Sequence, residues 1–252
     1  MITVVFGGHS PIALTISKEL SQFKRVIHIT RKMSKELTSS ENKNLKFVAW
    51  DYKNLEELHS KLLAQNLKKI PFKIDGVIFG YRNKESKNLI SLLETDLLMP
   101  KLIIDFFIEK KLLLNTKFIF LISNSYKKII YDQNFDYHIL NSAIEKMIRW
   151  ISQQENYSSI NVYGISLSAF IKKPRSNNFY RKNIKLTKAL LENLPKNKFT
   201  SPSEISETVT FLLTCKNQSL NGEIFHLDGG FSTIESASLL KKIVYSYENS
   251  SN

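Results

Sequence analysis

The stretch that most constrains this chain is its first twenty residues, M-I-T-V-V-F-G-G-H-S-P-I-A-L-T-I-S-K-E-L. Ile2 to Phe6 is a short, apolar, β-branched run, the pattern of a buried parallel strand. Gly7-Gly8-His9-Ser10-Pro11 cannot continue a strand and reads as a turn. From Ile12 the apolar period becomes helical, with Ile12, Ile16 and Leu20 on one face and Ala13 beside them. Ser10 is placed to cap that helix, and Pro11 suits its first turn. A strand, a tight glycine turn and a helix open a dinucleotide-binding unit, because the turn amides and the helix N-terminus attract a pyrophosphate. The same turn occurs in α/β domains that bind nothing, so these residues alone leave both readings open.

The remaining 232 of the 252 residues repeat the theme. Arg25–Thr30 reads as a second strand followed by Arg31-Lys32, and Lys46–Trp50 as a third closed by Asp51. Leu55–Leu67 has helical spacing, and Asp75–Gly80 is a fourth strand. Glu85–Lys110 reads as one long helix or two, with Pro100 a candidate kink. Lys117–Ser123 is a fifth strand, Asn141–Gln153 an amphipathic helix and Ile160–Ile165 a sixth strand. Pro202–Leu213 is a helix with Ser203 as a plausible cap, and Glu223–Leu227 is a seventh strand ended by Asp228-Gly229-Gly230. Alternation from end to end predicts an α/β fold: a single Rossmann-type, doubly wound parallel sheet of about seven strands with helices on both faces, over residues 1–252. Residues 172–198 read as an irregular substrate flap, and 234–252 as a short tail with a turn or two of helix.

Charge and cysteine content narrow the function classes. The net charge of +13 fits either an anionic partner or a chain rich in Lys, Asn and Ile throughout. The lysines are dispersed as pairs and make no stripe, which favours the second reading and predicts no nucleic-acid partner. No apolar run is as long as a membrane span, and the N-terminus lacks the pattern of a signal peptide. Cys215 is the single cysteine, and the five histidines are scattered, so neither a disulfide nor a metal site is expected. A cytoplasmic protein is expected.

The spaced residues resemble the short-chain dehydrogenase/reductase family over nearly the whole chain. Phe6-Gly7-Gly8-His9-Ser10-Pro11-Ile12-Ala13 is similar to its T-G-x-x-x-G-I-G, with Pro11 and Ala13 in place of two glycines. Asp51-Tyr52 resembles its Asp-Val after strand three. Pro202–Ser206 resembles P-E-E-I-A, Leu220–Glu223 resembles V-T-G-Q, and His226–Phe231 resembles its V-D-G-G-F/Y ending. Tyr137-His138-Ile139-Leu140-Asn141 resembles Y-x-x-x-K with asparagine for lysine. Asn124 stands thirteen residues before Tyr137, in the place of the family's serine, flanked by Ser123 and Ser125. Glu94–Leu97 resembles x-T-N-L, with Asp96 for the asparagine of the water relay. Phe79-Gly80-Tyr81-Arg82 stands where the family has N-N-A-G.

The resemblance implies roles for these residues. Tyr137 exchanges the proton, Asn141 stands at the ribose, and Ser123, Asn124 or Ser125 meets the substrate oxygen, with Asp96 behind them. Gly7, His9, Ser10, Pro11, Ile12, Arg31, Asp51, Tyr52, Gly80, Arg82 and Asn141 line the cofactor. A tyrosine of ordinary pKa, about 10, shuttles protons poorly, and a nearby cation favours its phenolate. Asn141 supplies no charge, Lys146 lies about two and a half turns beyond Tyr137 and faces away, and Arg82 is the replacement cation. The plainer readings are an aromatic at a helix start for Tyr137, a solvated charge for Arg31 and a turn residue for Asp51. Arg31 at the end of strand two, with no acidic residue there, predicts NADP(H) over NAD(H). Two functions are expected: an NADP(H)-dependent oxidoreductase acting on a carbonyl or alcohol of a small molecule such as a sugar, or a catalytically impaired dinucleotide-binding sensor or partner subunit. The resemblance also implies a homo-oligomer, dimer or tetramer, through helices at Leu89–Glu109 and Asn141–Gln153.

Overall fold

The first strand lies inside the sheet with a neighbour on each side, which is why it is apolar on both faces. In the computed structural model β1 (Ile2–Phe6) is buried along its whole length. It pairs in parallel with β2 (Arg25–Thr30) on one side and β4 (Ile74–Phe79) on the other. The structure describes residues 1–34, 37, 42–65, 73–80, 88–168 and 179–249. With β3 (Leu45–Ala49), β5 (Leu113–Ser123), β6 (Asn161–Leu167) and β7 (Ile224–Leu227) the sheet has seven strands in the order β3-β2-β1-β4-β5-β6-β7, every neighbouring pair parallel. The strand order reverses between β1 and β4, and in such sheets ligands bind at the carboxyl ends of the strands flanking that point.

Strand alternation sends side chains into two cores. Val5, Val26, Ile78, Ile119 and Ile165 face α1 (Pro11–Leu20) and the later helix Pro202–Thr214. Val4, Phe6, Ile27, Phe79 and Phe120 face the opposite layer. That layer begins with α2 (Leu55–Ala64) and α3 (Leu89–Leu93). A π-helical turn (Glu94–Leu98) leads directly into α4 (Met99–Glu109), and α5 (Phe135–Ser152) completes the layer. Pro100 lies in the first turn of α4, where a missing N–H does no harm; the irregularity in this helix is the π turn before it.

Several boundaries differ from expectation for local reasons. α5 starts at Phe135 and not Asn141, because the Asn134 side chain accepts from the Tyr137 amide and caps it. The helix at 202 is capped by Ser201 and not Ser203, in a capping box with Glu204. The described part of the flap holds a helix, α6 (Ile184–Asn193), before α7 (Pro202–Thr214). The tail is helical over Ser236–Asn249 (α8), well beyond the turn or two expected, with Glu235 accepting from the Ala237 and Ser238 amides at its start. Among the described residues no helix is long and apolar enough to cross a membrane, and no group of three or more metal-ligating side chains occurs.

Candidate functional site

The turn between β1 and α1 is built from close packing and one buried side chain. A methyl group on Gly7 would lie 2.3 Å from Ala13 Cβ and 2.7 Å from His28 Cε1, so only glycine lets α1 and β2 approach so closely. Gly8 has φ +52°, and a Cβ there would meet nothing within 4 Å. The Gly7 and Gly8 amides both donate to the Ile29 carbonyl, at 3.3 and 3.0 Å. The Ser10 amide donates to Gly7 at 3.0 Å. Ser10 occupies the cap position of α1, yet its side chain makes no capping bond, a correction to the expected cap. Ile12 and Ala13 are buried at the start of the helix, where amide groups have no intrahelical acceptor. Pro11 is exposed and brings no amide.

Beneath the turn lies His28, a residue the sequence left among scattered histidines. It is fully buried on β2. Its Nε2–H donates to the Gly8 carbonyl at 2.8 Å, since a carbonyl can only accept, and its Nδ1 accepts from the Ser17 hydroxyl at 2.7 Å. Burial, the largest influence, pushes its pKa down to about 4 against the opposing Gly8 bond, so the ring is neutral at pH 7. The available signal was a polar ring in an apolar strand, R-V-I-H-I-T, on the face that meets Ser17 of α1.

One end of the crevice lies at β2 and β3. Arg31 is exposed, and its guanidinium stands 5.4 Å from the centre of the Tyr52 ring. Tyr52 has φ +65°, which turns its ring inward against Trp50 and Phe6, and burial raises its pKa above the normal phenol value. Asp51 is exposed and accepts from the Lys53 amide, the geometry of a turn residue. The exposed His9 donates from Nε2 to the Lys32 carbonyl at 3.1 Å, tying the turn to the end of β2. Gly80, after β4, donates its amide to the Phe6 carbonyl at 2.8 Å and closes the switch point. Arg82 lies outside the described residues.

The other end is β5 and α5. Tyr137 is half-buried on the first turn of α5. Asn141 is fully buried: its Oδ1 accepts from the Ser123 amide at 2.9 Å, and its Nδ2 donates to the Tyr137 carbonyl at 2.7 Å. Both ends of its amide thus reach main chain, from the end of β5 to the first turn of α5. Ser123 is buried and its hydroxyl accepts from the Ser125 amide at 3.3 Å. Asn124 is half-buried beside them, its Oδ1 3.5 Å from Ser123 Oγ. Ser125 is buried, and its hydroxyl has no hydrogen-bond partner among the described residues. Asp96 is buried in the π turn, accepting from the Thr95 hydroxyl at 3.0 Å. Lys146 is exposed, as expected for a residue facing away from Tyr137. His138 braces the loop before α5, its Nε2 accepting from the Ile130 amide at 2.9 Å and its Nδ1 donating to Asn134 at 2.9 Å.

This is a doubly wound sheet with a glycine turn at its switch point. The family model described as Enoyl-(Acyl carrier protein) reductase matches residues 108–232, the part that holds Tyr137, P-S-E-I-S and the H-L-D-G-G-F ending. A structure of a short chain dehydrogenase family protein from Francisella tularensis aligns over 92% of this chain and 99% of its own, at 20% identity and TM-score 0.71. A gluconate 5-dehydrogenase from Burkholderia cenocepacia, in complex with NADP and tartrate, aligns over 93% and 96%, at 13% identity and TM-score 0.72. The FabI–NADH complex from Alistipes finegoldii aligns over 92% and 88%, at 13% identity and TM-score 0.75. A search of curated proteins by sequence finds no match. By the matched model over residues 108–232 and by its fold, the chain is similar to the short-chain dehydrogenase/reductase family of oxidoreductases.

The residues fit a dinucleotide at one end of the crevice. The open space over Gly8, the helix-start amides of Ile12 and Ala13, and the Arg31 guanidinium suit a phosphate-bearing ligand. At the β5–α5 end the donor set is changed, because the position of the family's lysine holds a buried amide.

Proposed function

We propose that this chain binds NADP(H) and acts on a carbonyl or alcohol carbon of a small molecule, with keto-sugars inside that class. The observation that carries the reading is the end of β2. Arg31 is exposed over Tyr52, and Ile29-Thr30-Arg31-Lys32 offers no carboxylate to a ribose 2′-hydroxyl. A guanidinium there supplies a fork of donors to a 2′-phosphate. Complexes of the fold relatives hold NADP, NADPH or NADH, and Arg31 is the feature that favours NADP(H) here. The bound dinucleotide supplies the hydride donor or acceptor. Tyr137 gives or takes the proton at the substrate oxygen, and Ser125 Oγ is the hydroxyl left to hold that oxygen. Asn141 holds the Ser123 amide and the Tyr137 carbonyl in register. Without a cation in the lysine's place the phenol stays a weak proton shuttle, and turnover is slow.

Calorimetric titration tests the cofactor choice. NADPH binds more tightly than NADH, and Arg31→Ala weakens NADPH by about tenfold or more while leaving NADH unchanged. Equal affinities in the wild type sink the assignment.

We also propose that the α3–α5 surface pairs two copies of the chain. On these helices Phe106, Phe107 and Ile148 are buried in the core. Leu98, Leu102 and Trp150 remain 51%, 48% and 48% exposed, and Ile90 71%. Light scattering of wild type against Leu102→Asp is the check; a wild-type monomer at micromolar concentration rejects the pairing.

A further inference from the structure

We propose that His28 is a positioning residue that aims the His9 amide at a phosphate of the dinucleotide. The inference rests on the cofactor reading above and adds to it a residue outside the family's motif. Of the amides in the turn, those of Gly7, Gly8 and Ser10 are bound to Ile29 and Gly7 carbonyls, and Pro11 has none. The His9 amide has no acceptor among the described residues. In a trans peptide the carbonyl and the next N–H point in opposite directions. The Gly8 carbonyl is held inward, 2.8 Å from His28 Nε2, so the His9 N–H points away from His28, and a Cβ built on the neighbouring Gly8 meets nothing within 4 Å. The His28 ring cannot turn away easily, because Nδ1 is bonded to Ser17 at 2.7 Å and Phe47 packs against it with ring centres 5.3 Å apart.

The arrangement matters more here than in a turn with three glycines. Pro11 removes one amide, and Ala13 sits in contact range of both glycine neighbours, with its Cβ 2.3 Å from a Cβ built on Gly7 and 3.2 Å from one built on Gly80. The helix cannot slide closer to a ligand, so the orientation of the Gly8–His9 peptide carries more of the binding. An anion contact made by a fixed amide is stronger than one made by an amide that must first be ordered.

The test uses two variants of the full chain. His28→Phe keeps a flat ring and loses both nitrogens, while His28→Gln offers one amide donor to the Gly8 carbonyl. Calorimetry with NADPH is expected to show His28→Phe weakened about tenfold or more, and His28→Gln recovering most of that loss. Nitrogen-15 NMR of histidine-labelled wild type is expected to show the Nε2–H tautomer at His28 and a shift of the His9 amide on adding NADPH. NADPH binding unchanged in His28→Phe, or a His9 amide that does not respond at saturation, overturns the inference while leaving the cofactor reading intact. Wild type that binds neither NADPH nor NADH overturns both. If His28→Phe does not fold, the His9 response in wild type decides.

Discussion

The two ends of the crevice absorb their departures from the family pattern in opposite ways. At β1–α1 two glycines are gone, yet the turn is closed: Gly7 accommodates Ala13, and His28 pins the Gly8 carbonyl. At β5–α5 the lysine is gone and nothing on the described part of α5 replaces its charge. Asn141 turns inward and becomes a structural clamp between Ser123 and Tyr137, and the nearest lysine on the helix, Lys146, is exposed. The contrast teaches that a requirement of packing is shared by many atoms and can be met by new neighbours. A requirement for one charge at one place is carried by one group, and its position can be absorbed into the core.

The sharpest way to break this comparison is at Tyr137. Tyr137→Phe is expected to lower turnover by about 10²–10⁴-fold, because the proton transfer is lost. Unchanged turnover would show that the β5–α5 end has moved its acid elsewhere. Asn141→Lys restores the charge and raises the rate. It also breaks the Ser123 bond in a fully buried place, lowering stability by about 1–3 kcal/mol.

Packing at the other end predicts the next effect. Gly7→Ala puts a methyl group into Ala13 and His28, neither of which is the free end of a flexible chain. The loss expected in denaturant unfolding is about 3 kcal/mol, with dinucleotide binding lost as α1 is pushed away. A stable Gly7→Ala that still binds NADPH would mean the turn is looser than its contacts.

Acid sharpens the role of His28. Its folded pKa of about 4 lies below the ordinary histidine value of 6.5, so between the two the unfolded chain holds more protons. Stability therefore falls as pH drops from about 6.5 to about 4 and is flat below, by up to about 3 kcal/mol for this group. His28 faces Ser17, the Gly8 carbonyl and Phe47, and His9 is the titratable neighbour that lowers it further. Burial also depresses His226, which adds loss of the same sign, so the quantity to compare is the pH slope of wild type minus that of His28→Phe. Equal slopes would show that the ring is not buried neutral.

Much of the sheet was legible because a central parallel strand must be apolar on both faces, and the runs at Ile2–Phe6 and Arg25–Thr30 have the bounds expected of them. Helix starts were less legible, since a cap is one side chain reaching one amide. Asn134 and Ser201 look like loop residues until the Tyr137 and Glu204 amides are in place. The π turn that buries Asp96 leaves no mark in apolar spacing. The places of Arg31 at the end of β2 and of Gly7 in the first turn could be read from position in the motif. The inward turn of Asn141 and the bond from His28 to Gly8 depend on contacts 18 and 20 residues apart in sequence, which no local pattern records.

A modest expected change in stability tests the comparison most directly. Gly8 and Gly7 are adjacent, yet a methyl group meets packed atoms at Gly7 and open space at Gly8. Gly8→Ala therefore faces only the strain of φ +52°, about 1–2 kcal/mol for a residue with a Cβ. If the open space is where the dinucleotide lies, the same methyl group intrudes on the ligand, and NADPH affinity falls by more than the fold loses. The measurement pairs denaturant unfolding with calorimetry on one variant. A fold weakened by about 1 kcal/mol with NADPH binding lost tenfold or more places the ligand over Gly8. Unchanged NADPH binding moves the phosphates off this turn and leaves His28 as a packing device alone.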